Sequence, residues 1–203
     1  MLFRSSVLVI HPSMPVQSVS GLIALAKAKP GVLNYSSAAP GTTSQLGAEL
    51  FKAMTGVNIV RLGFKGAPSA MNALLTGEAH LMFAIVAPAV ANAKAGRVRA
   101  LAVTSAQRTA LAPGLATMAE AGLPGFEVTF TPGLFAPAGT PAPIVERLHR
   151  EITRLIERPE IREKYLSVGM EALGQSPEIF AAAIKREIAV IGKVVKSAGI
   201  REE

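Results

Sequence analysis

An α/β fold with a largely parallel sheet is the architecture this sequence predicts, on three observations. Short apolar runs alternate with helix-patterned stretches along the first half of the chain. Gly, Pro or a Ser/Thr cap punctuates almost every junction between them. With 203 residues, 50% of them apolar and 17% charged, the chain can bury a real core.

Taken in order, residues 7–10 are a continuous apolar run, a buried strand ended by His11-Pro12. Ser18 caps a helix through Ala28, stopped by Pro30-Gly31. Residues 32–35 read as a strand and 36–41 as a loop. Thr42 or Thr43 caps a second helix through Met54, ended at Thr55-Gly56. A strand over 57–62, a turn at 64–66 and a helix over 67–75 follow. Then come a strand at 81–83, a short helix at 88–95 and a strand at 99–104. The second half changes character. It holds a loop at 107–113, a short helix at 116–121 and strand-like pieces at 127–130 and 133–135. A Pro/Gly loop at 137–143 leads to charged amphipathic helices at 143–157, 159–168 and 177–198. Glu146 and Arg150, and Arg154 and Arg158, stand four residues apart on a solvated face.

Composition excludes several chemistries. There is no Cys, hence no disulfide, thiolate nucleophile or sulfur-ligated metal. There is no Asp, hence no aspartic dyad or Asp-based triad. No apolar run reaches the roughly 18–20 residues needed to cross a bilayer. The first ten residues, with one charge and no small-residue cleavage site, read as a strand and not as a signal peptide. The formal charge of +7 is carried entirely by residues 1–105; residues 106–203 balance to zero. Its charges are scattered singly and aromatics are only 5%, so no nucleic-acid partner is expected. An anionic small molecule fits better.

The most informative segment is Asn34-Tyr35-Ser36-Ser37-Ala38-Ala39-Pro40-Gly41-Thr42-Thr43-Ser44. A strand runs into a hydroxyl-rich loop and then a helix start, where free N–H groups and the helix dipole attract anions. An ordinary capped junction would carry the same residues, since Ser and Thr are preferred caps. Phe64-Lys65-Gly66-Ala67-Pro68-Ser69 is a second such junction, with Lys65 either a charge for an anion or a solvated surface lysine. Neither is a P-loop. His11, His80 and His149 are too dispersed for a metal centre, and no cofactor is expected. Glu120 and Glu127 flank a turn and are the one candidate carboxylate pair.

The chain resembles the Bug/TctC extracytoplasmic receptors of tripartite tricarboxylate transporters. The resemblance rests on Leu8-Val9-Ile10-His11-Pro12-Ser13 with Pro15, Ala26-Lys27-Ala28-Lys29-Pro30-Gly31 and Asn34-Tyr35-Ser36-Ser37. Gly47-Ala48-Glu49-Leu50-Phe51 and Phe64-Lys65-Gly66 add to it. So do Ala95-Gly96-Arg97-Val98-Arg99-Ala100-Leu101-Ala102-Val103-Thr104-Ser105 and Ala119-Glu120-Ala121-Gly122-Leu123-Pro124-Gly125. Gly133-Leu134-Phe135-Ala136-Pro137-Ala138-Gly139-Thr140-Pro141 completes the series, whose number and order make the match specific.

The resemblance implies a type II periplasmic-binding-protein fold, two α/β lobes joined by a hinge, and no catalysis. Residues 1–19 would cross the hinge into the second lobe, 20–100 would form that lobe, and 101–203 would return to the first. Ser36, Ser37, Gly41, Thr42, Thr43 and Ser44, with Lys65, Gly66 and Ala67, would bind a small organic carboxylate. Membrane permease subunits would be the partners and the periplasm the location, although the chain shows no signal peptide of its own. Family members carry a further N-terminal stretch, so the first lobe is expected to be incomplete, with apolar surface and strand edges left open. Ala84 stands where the family often has Asp, which favours a plain carboxylate over an amino acid. Two other classes stay open: a cytoplasmic ligand-sensing module on the same fold, and a small Ser/His enzyme, which would need a serine hydroxyl within reach of His11 or His80.

Overall fold

The computed structural model describes residues 2–130, 132–167 and 169–198. Its spine is β1 (Leu2–Ile10), flanked in the order β3-β2-β4-β1-β5 by β2 (Asn34–Ser37), β3 (Val60–Gly63), β4 (Leu81–Ile85) and β5 (Arg99–Val103). β2 runs parallel to β3 and β4. β1 runs antiparallel to both of its neighbours, β4 and β5. The expectation of a largely parallel sheet is corrected here: the central strand is reversed. An apolar run tells that a strand is buried but not which way it points. Since β4 and β5 both oppose β1, they run parallel to each other, and the intervening helix carries the chain across β1.

β1 also reaches further back than the run at 7–10. Ser6 to Ile10 pair with β4, while Ser5 and Arg4 pair with β6 (Thr129–Phe130), and Phe3 and Leu2 with β7 (Glu171–Ala172). The strand therefore changes partners between Ser5 and Ser6. Thr104 marks the changeover from inside. Its hydroxyl accepts the Ser6 N–H at 3.1 Å and donates to the Val128 carbonyl at 2.6 Å.

Strand alternation divides the core in two. Leu8 and Ile10 face a cluster under α1 (Val19–Ala28) and α2 (Thr43–Thr55), with Tyr35, Phe51, Phe83 and Phe126. Val7 and Val9 face a second cluster under α3 (Ala67–Leu75) and α4 (Val86–Lys94). Phe83 sits between the rings of Phe51 and Phe126, with centroids 6.0 and 5.9 Å away. α2 passes so close over it that a Cβ on Gly47 would lie 2.8 Å from the ring. α5 (Ala142–Ile156), α6 (Pro159–Ser167) and α7 (Pro177–Ala198) follow, and Val194 of α7 is buried in the first cluster.

Helix boundaries follow their caps closely. Ser18 Oγ accepts the Gly21 N–H at 3.1 Å, and Gly56 ends α2 in the left-handed region. Strands are less obedient. The runs at 32–35 and 57–62 slide C-terminally to Asn34–Ser37 and Val60–Gly63. Val32 is 58% exposed, while the polar pair Ser36 and Ser37 is buried in the ladder. The expected helix at 116–121 is a single turn. Thr117 N–H donates to Glu120 Oε2 and Glu120 N–H to Thr117 Oγ1, a capping box closed on itself before Gly122. Residues 133–135 form no strand. On α5 Glu151 pairs with Arg154 at 3.6 Å, three residues on, and with Arg150 at 4.0 Å. Val168, the expected end of α6, lies outside the described residues.

Candidate functional site

β2 and β3 are parallel and in register to their ends, Ser37 opposite Gly63, so the loops that leave them emerge side by side. The Phe64 N–H donates to the Ser37 carbonyl at 2.9 Å and joins the two exits. β4 runs the same way, and α4 starts directly after it. The N-termini of α2, α3 and α4 therefore share one edge, at the carboxyl ends of parallel strands. That is where open α/β sheets bind ligands. In α2 the first intrahelical bond is Leu46 N–H to Thr42 O, which leaves the Thr43 and Ser44 N–H groups ahead of it. In α3 it is Ala70 N–H to Gly66 O, and Pro68 in the first turn has no N–H to satisfy.

All nine residues expected to bind ligand lie on this edge, but not in one role. Ser36 and Ser37 are wholly buried, and Ser44 is 6% exposed. Ser44 Oγ accepts the Ala38 N–H at 3.1 Å. Thr42 gives its hydroxyl proton to the Ala39 carbonyl at 2.8 Å, so across the 3.0 Å Thr42–Ser44 contact Ser44 is the donor. Those two hydroxyls are spent on the loop itself. Ser37 Oγ accepts from Arg61, and Ser36 Oγ is buried without a partner. Gly41 sits exposed at φ +76°, a left-handed turn that a side chain would strain, with its N–H on Gln45 Oε1 at 2.8 Å. Thr43, Gly66 and Ala67 are half-buried and Lys65 is exposed. The Thr42 N–H is spent on the Ala39 carbonyl at 3.3 Å, so the accessible donors are the backbone of Thr43 and of 65–67 with Lys65, above a floor of serines.

Three residues that the sequence did not nominate complete the edge. Gln45 closes the loop. Glu49 accepts from the Tyr35 hydroxyl at 2.5 Å and from Lys52 at 2.8 Å, which ties α2 down onto β2. Burial, followed by the Glu49 contact, pushes the Tyr35 phenol far up. Arg61 Nε–H donates to Ser37 Oγ at 2.8 Å and Nη2 to the Ala38 carbonyl at 3.1 Å, across 24 and 23 residues of chain. Only an i-to-i+4 signal such as Gly41/Gln45 was open to sequence reading; the Arg61 contact spans two strands.

The other candidate chemistry does not assemble. His11 Nδ1 lies 2.7 Å from Ser13 Oγ, the reach an Ser/His enzyme would need, but among the described residues no carboxylate hydrogen-bonds to a histidine. His80 Nδ1 accepts the Asn34 N–H at 3.1 Å, and burial, then the neighbouring His11, lowers its pKa. Glu120 is engaged by Arg108 at 3.0 Å and by Thr117, not by Glu127. No cluster of three metal-ligating side chains occurs among the described residues. A cavity of about 790 Å³ lies elsewhere, between residues 105–109, 127–129, 171–175 and one side of α7. Arg108, Glu127, Glu171 and Arg186 give it both charge signs, and none of the nine residues lines it. Ala84 is fully buried in the second apolar cluster.

The family model of the tripartite tricarboxylate transporter family receptor (TctC) matches residues 1–200. A protein from Pseudomonas sp. (strain P51), described as the UPF0065 protein in the tcbD-tcbE intergenic region, is 38% identical over 183 residues, which are 90% of this chain and 54% of that one. Rpa4515 of R. palustris, solved with adipate, superposes with TM-score 0.82 at 37% identity over 98% of this chain and 67% of that one. MatC (Rpa3494) from Rhodopseudomonas palustris, with bound malate, gives TM-score 0.77 at 28% identity over 96% and 67%. The periplasmic binding protein BugD gives 0.80 at 28% over 100% and 68%. The fold is thus that of periplasmic binding proteins, and the matched family is one of receptors. The chain spans 54% of the length of that curated Pseudomonas relative and about two thirds of these solved ones.

Proposed function

The chain belongs to the tripartite tricarboxylate transporter receptor family, and from that premise we propose that it is the ligand-holding part of an extracytoplasmic receptor for a small organic carboxylate. The single observation that carries this reading is the shared edge. A hydroxyl-floored loop and the N-termini of α2, α3 and α4 converge there, in the half of the chain that holds the whole +7 charge. The backbone of Thr43 and of Lys65, Gly66 and Ala67 would present donors to the carboxylate, while Gly41 and Thr42, their N–H groups engaged by Gln45 and the Ala39 carbonyl, would shape the turn. Ser36, Ser37 and Ser44 would hold the loop in shape beneath them. The related structures solved with adipate and malate hold dicarboxylates.

An amino group would find no free carboxylate among the described residues of this edge. Ala84 is enclosed by apolar side chains, and Glu49 is already engaged by Tyr35 and Lys52. That supports a plain carboxylate over an amino acid. In this reading residues 1–19 and 101–105 cross a hinge, 20–100 form the lobe described above, and 106–203 belong to the other lobe. Closure over the ligand would create the form that a membrane permease recognises, in the periplasm.

Isothermal titration of the protein with adipate, malate, citrate and glutamate tests the reading. Saturable heat with at least one di- or tricarboxylate, and weaker binding of glutamate, is expected. No heat and no thermal shift with any of them would overturn it.

A further inference from the structure

We infer that Arg61 is the charge anchor of this edge, the residue that makes it select an ionised carboxylate over a neutral isostere; the inference rests on the proposed carboxylate-binding function. Arg61 stands on β3 opposite Tyr35, and its side chain runs along the strand toward the carboxyl end. It lies over Gly63, where even a Cβ would sit 3.4 Å from Nη2. With no side chain at 63, the guanidinium has room to lie along the strand and reach the loop. There it grips the end of β2 twice, through Ser37 Oγ and the Ala38 carbonyl.

Both acceptors are neutral. Arg61 is half-buried, yet among the described residues no carboxylate lies within ion-pair distance of it. Glu49, which shares Tyr35 as a neighbour, is spent on the Tyr35 hydroxyl and Lys52. A partly desolvated guanidinium without a counter-ion raises the potential of the surface around it, and the surface here carries the Thr43 and Ser44 N–H groups at the start of α2. Because Arg61 donates to Ser37 Oγ, the hydroxyl is polarised as a donor and not as an acceptor. Charge and donor polarity thus point the same way, toward an anion.

Lys65 carries the same sign but is exposed and makes no described contact, so it is screened by water and adds little selectivity. Arg99 is the instructive control. Its Nη1 also donates to neutral carbonyls, Met14 O at 3.1 Å and Val16 O at 2.6 Å. Those lie past the end of β1, at the edge opposite to the carboxyl ends of β2 and β3. Arg99 therefore has the same bonding pattern at the edge away from the proposed carboxylate site.

Titrating adipate and its neutral diamide into the wild type and into Arg61→Gln, Arg61→Lys and Arg99→Gln tests the assignment. The wild type is expected to prefer the diacid. Arg61→Gln should lose about ten- to a hundredfold of diacid affinity with diamide affinity unchanged. Arg61→Lys should recover part of the loss, and Arg99→Gln should keep the full preference. A folded Arg61→Gln that prefers the diacid as strongly as the wild type would overturn the inference. If Arg61→Gln fails to fold, Arg61→Lys decides with the wild type's salt dependence: an undiminished preference, or diacid affinity insensitive to salt, overturns it. A wild type that binds no dicarboxylate defeats the functional reading itself, and the anchor with it.

Discussion

Apolar side chains meet opposite fates in the two parts of this molecule. In the sheet and its four helices, the side chains of residues 7–10 of β1 and 81–84 of β4 disappear into two clusters, one on each face. Among the described residues, only Val32, Met54 and Val60 of that part are large, apolar and exposed. Between 134 and 190 there are nine, from Leu134 at 78% and Phe135 at 74% to Leu166 at 41%. α5 shows the contrast within one helix. Ile144, Leu148 and Leu155 form an apolar stripe, yet all three are exposed and only Ile156 is buried. Amphipathicity makes a helix; it does not by itself supply the surface that covers it. A sheet clad on both faces satisfies its own pattern, whereas the 134–190 helices present faces that await cover.

The sharpest way to break that comparison is to strike each part where it looks strongest. Phe83→Ala removes the ring between Phe51 and Phe126 and should cost about 3–5 kcal/mol in urea unfolding. A loss below about 1 kcal/mol would mean that the stack is not the centre of the clad part. Gly47→Ala tests closeness and not volume. Its methyl would meet the Phe83 ring at 2.8 Å, and backbone as well as ring must shift. The expected loss is about 1–3 kcal/mol, and a crystal structure should show α2 displaced from β4.

His80 supplies a smaller, pH-dependent probe. Its folded pKa is depressed below 6.5, by burial and then by His11, so the unfolded chain takes up the proton first. Stability that is complete above pH 6.5 should fall as the pH drops from there through the folded value. Thermal melts across pH 5–8 should show a slope that flattens in His80→Gln. The smallest effect is expected in the open part. Leu148→Gln should change unfolding free energy by no more than about 0.5 kcal/mol while reducing binding of a hydrophobic dye. A large destabilisation would show that the α5 stripe is covered in solution.

What could be read from the sequence follows the same division between local and distant causes. α1, α3 and α7 begin at Ser18, Gly66 and Pro177, because what starts a helix acts within one turn. The candidate edge was legible as two strand-to-helix junctions, since hydroxyls and glycines at such junctions have local reasons to be there. The partition among its hydroxyls was not. That Ser44 is spent on Ala38 and Thr42, or that Ser37 accepts from Arg61, depends on how a loop folds back and on a neighbouring strand. The reversed β1 was hidden for the same reason, as was the slide of β2 onto Ser36 and Ser37. Burial in a ladder needs covered faces, not apolar residues.

The change of partners along β1 has a consequence in time. β1 is made well before the strands that pair its N-terminal half: Leu2 waits for Ala172, and Ser5 for Thr129. At translation speeds of roughly 5–20 residues per second, the middle of the sheet stands unpaired on one half for on the order of ten to thirty seconds. Among the described residues, the two-residue β7 is the stitch that closes this half of the axis.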